Sequence, residues 1–130
     1  MQSSVKSLRC LIVDDNAAFF AAATRLLESS GITIVGVAVN SAEALRCVAE
    51  LRPDVTLVDV DLGAESGFDL AEQLRDTGTL VIVISACDES VFCEMATASG
   101  ALGFIPKSHL SSHAIWDLVN AGDEADPQPR

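Results

Sequence analysis

The sequence is short of basic residues, of aromatics and of long apolar runs. Eight lysines and arginines stand against 19 aspartates and glutamates, a formal net charge of −11. Direct binding to nucleic acid needs a basic face that displaces counterions from phosphates, and this deficit excludes it. The surplus acid is a solvated surface that keeps the chain soluble. Aromatic residues make up 5% of the chain although hydrophobic residues reach 49%. The core is therefore built from Val, Ile, Leu and Ala, which suits a helix-covered parallel sheet better than an aromatic-rich barrel. No apolar stretch approaches the ~20 residues of a membrane span. The first seven residues lead into no signal-peptide apolar region, because Leu8 to Val13 is too short and runs into two acids. A cytoplasmic protein is expected. Cys10, Cys47, Cys87 and Cys93 have no CxxC spacing, and His109 and His113 lie elsewhere in sequence. That pattern supports neither a zinc site nor a disulfide framework. Cys10, within a strand, and Cys47, within a helix, are expected to act as small hydrophobes.

At 130 residues the chain fits one domain. Its organising stretch is Val55-Thr56-Leu57-Val58-Asp59-Val60-Asp61. A short apolar run opening after Pro53 has the composition of a buried parallel strand, and its end carries Asp59 into the crevice where open α/β sheets hold ligands. A carboxylate there can serve as a nucleophile or as a ligand for a hard cation such as Mg²⁺. Leu8–Val13 is the first strand, ending at Asp14-Asp15. A helix over about Ala17–Ser29 follows, with Phe20, Ala23 and Leu27 on one face and Gly31 closing it. Ile32–Val39 is the second strand. Ser41 is expected to cap a helix that carries Leu45, Val48 and Ala49 and stops before Pro53.

After the third strand comes a loop, Asp61 to Glu65, and then Ser66 with Asp69 as a capping box for a helix bearing Leu70 and Leu74. Leu80–Ile84 is the fourth strand, ending at Ser85. A helix over about Glu89–Ser99 precedes a short fifth strand, Leu102–Ile105, that ends near Lys107. Ser108 is expected to cap a last helix with Leu110, Ala114, Ile115 and Leu118 inside. Residues 1–7 form an N-terminal extension, residues 8–122 the domain, and residues 123–130 a disordered tail. Five strands alternating with five helices make an α/β doubly wound parallel sheet with helices on both faces.

Four strand ends now carry chemistry: Asp14-Asp15, Asp59, Ser85 and Lys107. In a parallel sheet all four lie along one edge. Between Arg75 and Arg130 the only lysine or arginine is Lys107, amid eight acids, which favours a role for it in a site.

The pieces Leu11-Ile12-Val13-Asp14-Asp15, Pro53 to Asp59, Ser85-Ala86 and Gly100 to Lys107 resemble the receiver domain of two-component response regulators, from about Leu8 to Gly122. The resemblance implies a flavodoxin-like strand order, 2-1-3-4-5, and a phosphoryl group accepted by Asp59 from a phosphohistidine on a sensor histidine kinase. It implies Mg²⁺ held by Asp15, with Asp14 close by or acting through a water, by Asp59 and by the backbone carbonyl of Asp61. Lys107 would pair with Asp59 before transfer and with the phosphoryl group afterwards. Ser85 would hydrogen-bond a phosphoryl oxygen, Ala86 would leave room for the group, and Phe104 would turn inward as Ser85 moves. In this role the protein is a phosphoacceptor signalling domain, not an enzyme acting on other substrates.

Transfer of a phosphoryl group needs an in-line nucleophile, a divalent cation and a fixed positive charge, and this residue set supplies or holds each. Some features depart from the pattern. Leu62-Gly63 stands where Met-Pro is frequent, and Ser108 follows Lys107 where many receivers have a proline after a cis bond. Asp61 and Cys87 flank the path of a water attacking the phosphoryl group. The Phe104-Ile105-Pro106-Lys107-Ser108 and Ile34-Val35-Gly36 stretches resemble receivers that precede helix-turn-helix domains, so the receiver half of a DNA-binding transcriptional regulator is an alternative. Another class, the haloacid-dehalogenase-type phosphatases, shares an Asp-x-Asp nucleophile motif but places its acidic pair after the lysine. The helix from about Glu89, the fifth strand and the last helix are expected to form the face for a downstream partner, an output domain or a homodimer, with Trp116 partly exposed there.

Overall fold

The computed structural model describes residues 8–124. Its main sheet has five parallel strands, β1 (Leu8–Val13), β2 (Ile32–Ala38), β3 (Val55–Asp59), β4 (Leu80–Ser85) and β5 (Gly103–Pro106). Their spatial order is 2-1-3-4-5, so every strand of the sheet runs toward the same edge. Five helices connect or follow them: α1 (Ala17–Glu28), α2 (Ser41–Leu51), α3 (Gly67–Leu74), α4 (Val91–Ala98) and α5 (Ser112–Glu124). Among the described residues no helix is long and apolar enough to cross a membrane.

Alternating side chains divide the core between the two sheet faces. Cys10, Ile12, Leu57, Ile82 and Ile84 pack with Ala23 and Leu27 of α1 and Ile115 and Val119 of α5. Leu11, Val13, Val58, Val81 and Val83 pack with Val48 of α2, Leu70 and Leu74 of α3 and Ala96 of α4. The central strand β3 is buried along its whole length, as a strand covered on both faces requires. On the second face Thr56 places a hydroxyl in this core, and it is satisfied by the Thr79 hydroxyl 2.9 Å away. Burial pushes the Cys10 thiol up to about 12, leaving it a small hydrophobe.

Local chemistry sets the helix ends. Asn16 caps α1, and Asn40 caps α2, its side chain accepting from the Glu43 N–H. Ser41, expected as that cap, is instead the first helical residue; the asparagine before it already occupies the extended conformation a cap needs. The helix ends at Arg52, which is left-handed (φ 50°), and the Arg9 guanidinium donates to the carbonyls of Leu51 and Arg52. Ser66 caps α3 as expected, accepting from the Phe68 N–H. The last helix starts later than Ser108: Lys107–His109 forms a single 3₁₀ turn, and Ser111 caps α5 by accepting from the Ala114 N–H. Leu110 is still buried, but it lies ahead of the helix. The helix also runs through Glu124, two residues past the expected boundary at 122. Residues 1–7 and 125–130, expected as an extension and a tail, lie outside the described residues.

The loop after β3 is more regular than expected, since Asp61–Leu62 and Glu65–Ser66 pair as two short antiparallel strands. Gly63 turns between them at φ 71°. Trp116 is half-buried, packs on the α1–α5 core and faces the opposite sheet edge from Asp59. There it lines a groove of about 900 Å³ with Leu8, Pro53 and Leu80. It is thus not confined to the α4–β5–α5 face where the sequence placed it.

Candidate acidic site at the strand ends

Asp14 is the first residue beyond β1. Its N–H continues the sheet by donating to the Ala38 carbonyl (3.0 Å), and its side chain is wholly buried. Asp15, next in the chain, is exposed. Asp59 ends β3, 6% exposed, one strand away in the sheet. Carboxylate oxygens of Asp14, Asp15 and Asp59 lie within 4.8 Å of one another. Lys107, just past β5, brings its ammonium to 2.6 Å from Asp14 Oδ2 and 3.4 Å from Asp59 Oδ2. The expected pairing with Asp59 is present, but Asp14 is the closer partner. The reason is burial, because an acid with no exposed surface is costly to ionise without an adjacent charge.

The Lys107–Asp14 contact is close but poorly directed, so Asp14 Oδ2 has the charge of the ammonium beside it and no aligned hydrogen bond. An under-coordinated buried oxygen beside two further carboxylates suits a hard, oxygen-seeking cation, and three acids facing one ammonium leave negative charge to balance. The donor set therefore fits Mg²⁺, with Asp14, Asp15 and Asp59 as the residues able to hold it. Without a cation, burial first and the Asp14 charge second push the Asp59 carboxyl up to about 6, against the opposing pull of Lys107 and of the Asp61 N–H.

Ser85 ends β4, buried, one residue beyond the partner of Asp59 in the β3–β4 register. Its hydroxyl accepts from the Cys87 N–H at 3.1 Å, and Ala86 and Cys87 are exposed at the mouth. Asp61 donates its N–H to Asp59 Oδ1 at 3.4 Å, and its own carboxylate accepts from the Gly63 N–H. Phe104 is half-buried on β5, and its ring meets Phe92 of α4 edge-on at 5.4 Å. Phe92 in turn meets Phe68 of α3 at 5.7 Å. All described peptide bonds are trans, including Lys107–Ser108.

The structure thus brings Lys107 into contact with Asp14 and Asp59 and sets Asp15 close beside the two acids, while Ser85 and Ala86 lie at the end of the adjoining strand and Phe104 belongs to a separate aromatic row. Three further residues went unassigned in the sequence. Phe19 lies with its ring 4.2 Å from the Lys107 ammonium. Asn16 donates its N–H to Asp14 Oδ1 (2.9 Å) while capping α1; an Asn directly before a helical apolar pattern is the signal that identifies it. Gly67 lies against the Asp59 backbone so closely that a Cβ would collide with the Asp59 carbonyl. No periodicity announces such a glycine.

The chain is similar to known proteins in sequence and in fold. The chain is 31% identical over 117 residues to the transcriptional regulatory protein YvfU of Bacillus subtilis, covering 88% of this chain and 56% of that protein. It is 30% identical over 111 residues to a protein-glutamate methylesterase/protein-glutamine glutaminase of Hahella chejuensis, covering 82% of this chain and 32% of that one. The chain therefore spans about half or less of the length of these relatives. In structure it superposes on the signal receiver domain of the response regulator NarL from Mycobacterium tuberculosis with a TM-score of 0.78 at 28% identity, covering 92% of this chain and 98% of that one. Residues 10–118 match the family profile of the response regulator receiver domain. With the sheet order, the acidic strand ends and the lysine opposite them in place, this chain belongs to the response regulator receiver domain family of two-component signalling.

Proposed function

We propose that Asp59 is the phosphoacceptor of this receiver domain and that Mg²⁺ is held by Asp14, Asp15, Asp59 and the backbone carbonyl of Asp61. The observation that carries this reading is the convergence of Asp59 with two further acids and Lys107 at one sheet edge. An Asp59 oxygen attacks the phosphorus of a phosphohistidine on a sensor histidine kinase. The P–N bond breaks, its electron pair stays on the imidazole nitrogen, and an acyl phosphate remains on Asp59. A bound Mg²⁺ supplies charge neutralisation for the phosphoryl oxygens. Lys107 leaves its carboxylate partners for a phosphoryl oxygen, the Ser85 hydroxyl turns from the Cys87 amide to another, and Ala86 gives the group space. Phe104 responds to the movement of Ser85 and alters the α4–β5–α5 face, where a downstream protein, an output domain or a second copy binds.

The chain then acts as a phosphoacceptor and not as an enzyme on external substrates. The relation to a transcriptional regulatory protein about twice the matched length favours one further reading, the receiver half of a DNA-binding regulator. The test is incubation with acetyl phosphate and Mg²⁺ followed by intact mass. The wild type gains one phosphoryl group; the reading fails if Asp59→Asn gains it equally or the wild type gains none.

A further inference from the structure

Lys107 must stay inside the cleft while changing partners, yet it is a flexible, strongly hydrated cation whose ordinary preference is to extend into water. Its two carboxylate partners cannot hold it throughout, because in the proposed transfer it leaves both. The structure supplies a third contact of a different kind. The half-buried ring of Phe19 stands 4.2 Å from the ammonium, within cation–π range. A ring face accepts no conventional hydrogen bond, so it attracts the charge and leaves the N–H groups free for carboxylate or phosphoryl oxygens.

The ring is itself tied to the acids. Asn16 donates to Asp14 Oδ1 at 2.9 Å, and Asn16 Oδ1 accepts from the Phe19 N–H at 3.2 Å. The Phe19 ring reaches Lys107, and Lys107 returns to Asp14 Oδ2 at 2.6 Å. This circuit of four residues closes on itself, so the first turn of α1 fixes the ring relative to the acidic cluster.

We infer that Phe19 is a positioning residue for Lys107, its ring face holding the ammonium at the acidic site while the ammonium exchanges carboxylate for phosphoryl oxygens. The inference deepens the phosphoacceptor reading of Asp59 and rests on it. Loss of the ring lets Lys107 swing toward solvent, so the transfer slows and the phosphorylated state is held less firmly. A cation–π contact in a partly desolvated site corresponds to a change of roughly 3- to 30-fold in rate.

The experiment follows the rate of phosphorylation by acetyl phosphate in Mg²⁺, by intact mass, for the wild type, Phe19→Leu and Phe19→Tyr. A parallel series replaces Phe19 with mono-, di- and trifluorophenylalanine, which weakens the ring's negative face at nearly constant shape and so remains informative should the leucine variant not fold. Phe19→Leu is expected to slow the reaction by roughly 3- to 30-fold and Phe19→Tyr to restore it, with the rate falling stepwise as fluorines are added. In carbon–proton spectra, the Lys107 side-chain methylenes are expected to show a ring-current shift in the wild type that Phe19→Leu abolishes. Equal rates across the series, or a slow leucine variant beside a flat fluorine series, overturn the inference while leaving Asp59 as the acceptor. A wild type that gains no phosphoryl group overturns the phosphoacceptor reading and this inference with it.

Discussion

Asp59→Asn should make the metal-free protein more stable at neutral pH, with a gain that vanishes in acid. Burial and the Asp14 charge push the Asp59 carboxyl from 3.8 up to about 6. The unfolded chain releases this proton near pH 3.8 and the folded chain only near 6. Between those values the folded state holds more protons than the unfolded one, so stability falls as pH rises through the window. The penalty is absent below the lower value and complete above the upper one. The interval corresponds to roughly 3 kcal/mol as an upper bound. Asparagine keeps the shape and has no proton to lose. Urea unfolding of both proteins in chelator at pH 4 and pH 7.5 reads the effect of removing the Asp59 carboxyl from the cluster. The variant is expected to match the wild type closely at pH 4 and to exceed it by up to roughly 3 kcal/mol at pH 7.5. Excess Mg²⁺ should narrow the gap, since a bound cation removes the cost of ionising the cluster. A gap equal at both pH values would refute the electrostatic account of this site.

Gly67→Ala drives a methyl group into the Asp59 carbonyl; overpacking of this kind costs on the order of 2 kcal/mol or more, read as a lowered urea midpoint, and wild-type stability would show the approach to be looser. Lys107→Ala strips the buried Asp14 of its adjacent charge, a loss on the order of 3 kcal/mol in chelator. Mg²⁺ should recover part of it, and no loss in chelator would mean that Asp14 is satisfied by other means. Amides of α4 should exchange with solvent before those of α3. The helix α4 has no side-chain cap bond and buries only Ala96, whereas α3 is capped by Ser66 and buries five residues; equal protection would contradict this reasoning.

The sheet was legible in the sequence because its strands are short, largely apolar runs, four of which lead into a polar residue, and a parallel sheet needs that continuity. The four residues gathered at the acidic site were legible for the same reason: chain ends of parallel strands share an edge, so Asp14, Asp15, Asp59 and Lys107 converge without any knowledge of distances. What stayed hidden depends on three-dimensional neighbours. Lys107 lies closer to Asp14 than to Asp59 because Asp14 is the more deeply buried, and burial of one acid relative to another is not written in strand spacing. The caps of α2 and α5 shifted by one and three residues, to Asn40 and Ser111, since several candidate cap residues stand in a row and only backbone conformation chooses among them. Phe19 lacked any signal, as an aromatic on a helix face is ordinarily core.

The same neighbours explain how a charge placed on Asp59 can be read at a distance. Phe104 on β5 touches Phe92 on α4, and Phe92 touches Phe68 on α3. Each ring contact is worth roughly 0.5–1.5 kcal/mol beyond burial. The anchor at the α3 end of this row is firm and the α4 link is not, because α3 buries five residues whereas α4 buries only Ala96 and leaves Val91 and Met95 exposed. A turn of Phe104 therefore costs Phe92 one of its two ring partners and falls on the less anchored of the two helices. An aromatic without a hydroxyl has no hydrogen bond to define its outward or inward state, so in this protein the balance is set by ring packing. In the proposed switch, the surface that responds most to phosphorylation is consequently the exposed side of α4, where Val91 and Met95 offer apolar surface.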